Sequence, residues 1–286
     1  MAPVFGAKIV EAQAKGYLKG VVLGGVAIGD GAVSLLDAGM EYPGYLYQTS
    51  QIDFSQYSLL QSYAFEMEAS YLKGDFNTSS MLLGVIMESI VNSTDEVFFY
   101  NIMYHHQPSP SLMRRRGKAA SLRHPMQQLT IDYNGDNVKK LMNTEIRKKF
   151  GMIPAGVKWG GQALECHSYL ADEMIIDVID SVDECLDKGV RVIVYNGMLD
   201  FIINSAGQER WMQKLKWKNL KNYYEQERVP LYPPSEKSSM RTGAFFKSYE
   251  NFEFYWILMS GHMVPIDVPE MSLEMVRRII TNEQYA

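Results

Sequence analysis

Two short segments of this 286-residue chain end an apolar run on a side chain with acid–base chemistry. Residues 190–200, VRVIVYNGMLD, pass through Gly197 to Asp200, and residues 254–264, FYWILMSGHMV, pass through Gly261 to His262. A carboxylate beside an imidazole fixes the tautomer of the neutral ring. It also stabilises the imidazolium formed when the ring takes a proton. Taken singly, Asp200 could cap a turn and His262 could be a loop histidine. Their joint placement just past two apolar strand ends favours chemistry, because ligands and catalytic groups of open α/β sheets gather beyond the carboxyl ends of the strands.

Acid before histidine is the order of the last two members in the Ser…Asp…His arrangement of α/β-hydrolases. The first member is absent: no G-x-S-x-G elbow occurs in the sequence. Ser205, in Ile203-Asn204-Ser205-Ala206-Gly207, keeps only the second glycine and reads better as a helix cap in capping-box relation to Gln208. The adjacent His105 and His106 have no Cys, Asp or Glu at ligand spacing to complete a metal site. Gly24-Gly25 and Gly29-Asp30-Gly31 fit neither the dinucleotide nor the P-loop pattern, so Gly29-Asp30-Gly31 reads as a turn.

The elements that must position Asp200 and His262 follow from periodicity. Residues 2–15 predict a helix with Val4, Phe5, Ile9 and Val10 on one side. Residues 18–28, LKGVVLGGVAI, lack polar alternation and predict a strand buried on both faces, as in a parallel sheet. Leu170, Met174, Ile175, Val178, Ile179, Val182 and Leu186 predict one helical face over 170–186, stopped by Gly189 before a strand over 190–195. Residues 253–259 predict a second central strand. Residues 269–281 predict a helix with Leu273, Val276 and Ile280 inward. The fold class is therefore α/β. Residues 53–149 are polar, Met-rich and helical in spacing, which predicts a helical cap inserted between core pieces 1–52 and 150–286. Within it, 108–123 reads as a mobile loop whose basic run Arg114-Arg115-Arg116-Gly117-Lys118 is solvated.

Bulk properties exclude several classes. A net charge of −5 implies no general nucleic-acid affinity. No segment approaches the ~18 uninterrupted apolar residues of a membrane span, and the first residues do not read as a signal peptide. Two sequons, Asn77-Thr78-Ser79 and Asn92-Ser93-Thr94, point toward the secretory route. Cys166 and Cys185 could pair or stay free, and the oligomeric state is open, a homo-oligomer included.

Several blocks carry a family resemblance across essentially the whole sequence. They include Lys19-Gly20-Val21 through Gly29-Asp30, Phe99-Tyr100-Asn101-Ile102, Leu141-Met142-Asn143 and Ile146-Arg147-Lys148-Lys149 through Ile153-Pro154. Trp159-Gly160-Gly161-Gln162-Ala163, Lys214-Leu215-Lys216-Trp217 and the two strand-end segments continue it. The chain resembles the serine carboxypeptidases, in their retinoid-inducible branch. The resemblance implies a partial α/β-hydrolase fold with a helical cap, and peptide or protein C-termini as substrate. It implies Asp200 and His262 as triad residues, no cofactor and no metal, and a secreted or lysosomal glycoprotein. The branch carries its nucleophile in a motif of the form E-S-Y-G-G-K-M. Met1 matches the last residue, so the serine is expected upstream of residue 1, along with the carboxylate-recognising Glu and the oxyanion-hole loop. On that expectation the 286 residues alone are inactive. Two alternatives use the same scaffold: a non-catalytic binding or protective protein, and an acyltransferase.

Overall fold

The computed structural model describes residues 1–94, 96–105, 135–160, 169–170, 173–236 and 241–281. Helix α1 (Ala2–Ala14) leads to strand β1 (Val26–Gly29), followed by α2 (Leu35–Gln48), α3 (Phe54–Leu72) and α4 (Phe76–Ser93). After residue 134 come α5 (Gly135–Leu141), a π-helical turn (Met142–Ile146) and α6 (Arg147–Phe150). The C-terminal half runs α7 (Ile179–Asp187), β2 (Val192–Gly197), α8 (Ser205–Met212), α9 (Leu220–Glu225), β3 (Val229–Leu231), β4 (Ala244–Tyr249) and β5 (Phe252–Ile257). It closes with α10 (Val264–Asp267) and α11 (Pro269–Thr281).

The five strands form one sheet in the order β1-β2-β5-β4-β3. β1, β2 and β5 are parallel, and β4 and β3 add antiparallel strands at one side. Because side chains alternate along a strand, β2 and β5 serve both faces. Val192, Val194, Phe252 and Phe254 join the cluster under α1, α7 and α8, while Ile193, Tyr255 and Ile257 join Met271 and Met275 of α11. A third cluster unites α2, α3 and α4 with Phe99, Ile102 and Phe201. The α/β reading, the central place of β5 and the helical start of the middle region all hold among the described residues.

Five expectations need correction. The strand expected over 18–28 shrinks to β1. Val21 and Val22 are exposed and Ala27 lies on an open face, because among the described residues β1 is an edge strand and residues 18–25 have no ladder to join. Helix α1 buries Pro3, Gly6 and Ala7 and leaves Phe5 in solvent, since small residues allow close approach to β1 and α7. The helix expected over 170–186 reaches α7 only at Ile179, where the Asp177 carboxylate accepts from the Ile179 N–H; the chain at 175–178 is non-helical. Helix α8 is capped by Asn204, whose Oδ1 accepts from Gly207 N at 2.7 Å, and not by Ser205. Gln208 is drawn inward instead, donating to Gly31 O and Asn196 Oδ1. Finally, α11 turns Met271 and Met275 inward and leaves Leu273, Val276 and Ile280 exposed. Two apolar stripes compete on that helix, and the flexible thioethers fill the gaps beside Phe246 and Tyr255.

Cys185 is buried against α1 with its thiol on Pro3 O, and burial pushes that thiol up to about 11. Cys166, His106, the loop at 108–123 and its basic run lie outside the described residues, whereas His105 is exposed.

Candidate active site

Asp200 and His262 follow neighbouring parallel strands, so the sheet delivers both to one rim. After β2, Met198 N donates to Ile257 O and Leu199 N to Ser260 O, which carries the pairing with the β5 side past both strand ends. Gly197 and Gly261 permit this approach. A Cβ on Gly197 would stand 2.1 Å from Gly261 O, and one on Gly261 would stand 2.1 Å from Tyr100 O.

The third strut is the segment 99–102. His262 N donates to Tyr100 O at 2.7 Å, Ile102 N to Leu199 O, and both Phe201 N and Ile202 N to Phe99 O. Asp267 Oδ2 ties the same parts together by accepting from Gly261 N at 2.7 Å and from Asn101 Nδ2 at 3.0 Å. From α2, Tyr42 Oη donates to Ile202 O and Tyr45 Oη to Met198 O. The loop that bears Asp200 is thus held from three directions.

Within this frame His262 Nδ1 lies 2.7 Å from Asp200 Oδ2. Asp200 is fully buried, whereas the His262 side chain keeps 25% exposure. The Tyr100 ring meets the imidazole edge-on, centroids 4.9 Å apart. Burial raises the Asp200 carboxyl well above its ordinary value, and the backbone N–H of Ile203 and the neighbouring Asp30 carboxyl oppose that rise. Burial also lowers the His262 imidazole below its usual value, which favours a neutral ring. A neutral imidazole with Nδ1–H on a carboxylate leaves Nε2 as the proton acceptor, which is the arrangement of a general base. Among the described residues no serine hydroxyl is hydrogen-bonded to His262.

Sequence reasoning missed a third group. Asp30, read only as part of a turn, is buried at the tip of β1, and side-chain atoms of Asp30, Asp200 and His262 all lie within 4.8 Å of one another. Two carboxylates and an imidazole at that spacing are a donor set that a divalent cation accepts. Here the donors already serve one another and the N–H groups of Gly197 and Ile203. The signal was available: Gly29-Asp30 repeats the grammar of an apolar strand, a glycine and then an acid.

A family model described as serine carboxypeptidase matches residues 1–282. Retinoid-inducible serine carboxypeptidase of Rattus norvegicus is 37% identical over 263 residues, covering 91% of this chain and 57% of that protein. The Homo sapiens protein of the same name is 35% identical over 99% of this chain and 62% of its own length. Serine carboxypeptidase-like 51 of Arabidopsis thaliana is 32% identical over 99% and 63%. The chain therefore spans between 57% and 63% of the length of these relatives. Among solved structures, Kex1(delta)p, a prohormone-processing carboxypeptidase from Saccharomyces cerevisiae, superposes with a TM-score of 0.72. At 16% identity, over 98% of this chain and 59% of that one, the likeness identifies the α/β-hydrolase fold. With the family match running across nearly the entire sequence, this chain belongs to the serine carboxypeptidase family.

Proposed function

We propose that Asp200 and His262 are the acid and base of a Ser-Asp-His triad that removes C-terminal residues from peptides, its serine lying outside residues 1–286. The observation that carries this reading is the 2.7 Å contact between His262 Nδ1 and Asp200 Oδ2 at the tips of adjacent parallel strands. In the assembled enzyme the serine Oγ attacks the last peptide carbonyl and its proton passes to His262 Nε2. Collapse of the tetrahedral intermediate breaks the C–N bond as Nε2 returns that proton to the leaving amine. Water then repeats the sequence on the acyl-enzyme, with Asp200 orienting the ring throughout. None of these steps calls on a metal or a cofactor. Residues 53–149 act as a helical cap on the core pieces 1–52 and 150–286, and the cap shapes side-chain preference. Helices α3 and α4 would be seated on the core through α2, with which they share one apolar cluster.

Loss of the triad serine alone removes about six orders of magnitude in turnover in a comparable hydrolase. Residues 1–286 by themselves are therefore expected to cleave no blocked dipeptide. The test is a chimera in which the N-terminal segment of the Rattus norvegicus relative, with its nucleophile and oxyanion-hole loop, precedes residue 1. Carboxypeptidase activity that a serine-directed phosphonate blocks, and that His262→Ala abolishes, supports the reading. A folded chimera whose activity survives His262→Ala refutes it.

The protein enters the secretory pathway and carries N-glycans, supported by exposed Asn77 and Asn92 near the two ends of α4. Expressed through a secretory host, it should lose mass on N-glycosidase treatment. Asn77→Gln combined with Asn92→Gln should abolish that loss.

A further inference from the structure

Asp30 is a buried acid that the triad reading does not use. Its place is fixed by the sheet. β1 pairs with β2 in parallel register, Gly29 opposite Tyr195, and Asp30 N extends the ladder by donating to Tyr195 O at 2.9 Å. Asp30 Oδ1 then accepts from Gly197 N at 2.8 Å, one turn before Asp200. The residue adopts φ +43°, a left-handed conformation that Asp and Asn tolerate better than other side chains. The chain thus accepts local strain to hold this carboxyl under the acid–imidazole pair.

Two buried carboxyls in contact cannot both be ionised. Side-chain oxygens of Asp30 and Asp200 lie within 4.8 Å of each other and both residues are buried, so one proton belongs to the pair. The count of donors decides which keeps the charge. Asp200 receives the N–H of Ile203 and faces His262 Nδ1, whereas Asp30 receives only the N–H of Gly197. We propose that Asp30 is a positioning residue: a neutral carboxylic acid that donates its proton to Asp200, holding that carboxylate in line with His262 and keeping one negative charge in the cluster. This assignment rests on the triad reading for its purpose, though not for its chemistry. Burial and the Asp200 charge push the Asp30 carboxyl up to about 8, in agreement with a group still protonated at neutral pH. The other titratable groups that sense this cluster are Tyr195 beside Asp30, and Tyr42, Tyr45 and Tyr100 around Asp200. All four phenols are raised by burial and stay neutral.

The test uses the full 286-residue chain labelled with 13C at aspartate carboxyls and 15N at histidine rings. Asp30 Cγ should report a protonated acid at neutral pH and titrate in the basic range. As it ionises, the His262 ring resonances should move with it. Asp30→Asn keeps both a donor to Asp200 and an acceptor for Gly197 N, so it should preserve the His262 Nδ1–H signal and abolish the basic-range step. Asp30→Gly, which suits the left-handed backbone, should speed exchange of that proton by at least tenfold. An Asp30 carboxyl that titrates near the ordinary value of about 4 overturns the proposal, as does an Asp30→Gly chain whose Nδ1–H exchange is unchanged. Both results leave the wild-type Asp200–His262 bond, and with it the triad reading, untouched. An inactive chimera with normal Asp30 behaviour would instead count against the triad alone.

Discussion

In the proposed triad, Asp200 and His262 divide a proton-shuttling task through their surroundings. Asp200 is sealed from water and serves as a fixed acceptor, while the imidazole keeps a partly exposed face toward the rim. In the chimera, Asp200→Asn should lower kcat by about four orders of magnitude with the geometry kept, because the amide stabilises the wrong tautomer. The His262 shift sets the pH profile. With the folded value below 6.5, the neutral base persists to more acidic pH, so the acid limb of kcat/KM should fall on the acidic side of 6.5. Asp30 contributes in the opposite sense to stability. Its folded value is raised from 3.8 to about 8, so its contribution is complete below the lower figure and is lost as pH rises through the upper one. Urea denaturation of Asp30→Asn should therefore show a flatter stability profile across that window than wild type does; parallel profiles would contradict it. At this scale, the meeting of Asp200 and His262 was legible because each follows a largely apolar strand and a glycine. Asp30 carries a similar signal, but two glycines around an acid also describe an ordinary turn, and the pairing of β1 with β2 is what brings it to Asp200.

The elements meet at a backbone junction that only glycine permits. Gly197→Ala or Gly261→Ala places a Cβ against a neighbouring carbonyl, and overpacking of this kind typically costs about 1–3 kcal/mol. Either variant should lower the urea midpoint and broaden the His262 Nδ1–H resonance, because the same contact aligns the two loops. A midpoint change without any effect on that resonance would separate packing from alignment and contradict the account. The junction also explains what periodicity could and could not supply. Strand β5 and helix α7 carry apolar runs or stripes that suit a single burial solution, so their existence was readable. Helices α1 and α11 offer two candidate faces each, and the choice belongs to the partner surface: the tight contact of Gly6 with Val26 for one, and room beside Tyr255 for the other. The cap on α8 went to Asn204 because Gln208 is needed inside, bonding to Asn196 beneath the Asp200 loop.

The molecule as a whole is a helix-flanked sheet that ends, among the described residues, in two edge strands, β3 and, on the parallel side, the open edge of β1. Exposed Val21 and Val22 lie just before β1 and add apolar surface beside it, and an open apolar edge is a template for pairing between chains. Residues 1–286 should therefore self-associate at tens of micromolar, read by sedimentation, whereas a monomer that refolds reversibly at that concentration would contradict this. Fold class was legible at this scale because alternating helices and strands leave few architectures. The antiparallel pair β3–β4 was not, since its short segments lack a strong period. The bond between Asp200 and His262 is central to the proposed triad, and nitrogen NMR of the ring tests it directly. In 15N-histidine-labelled protein at neutral pH, His262 should carry its proton on Nδ1, with a downfield proton resonance that disappears in Asp200→Ala. A ring protonated on Nε2, or an Nδ1–H signal indifferent to loss of Asp200, would contradict the account.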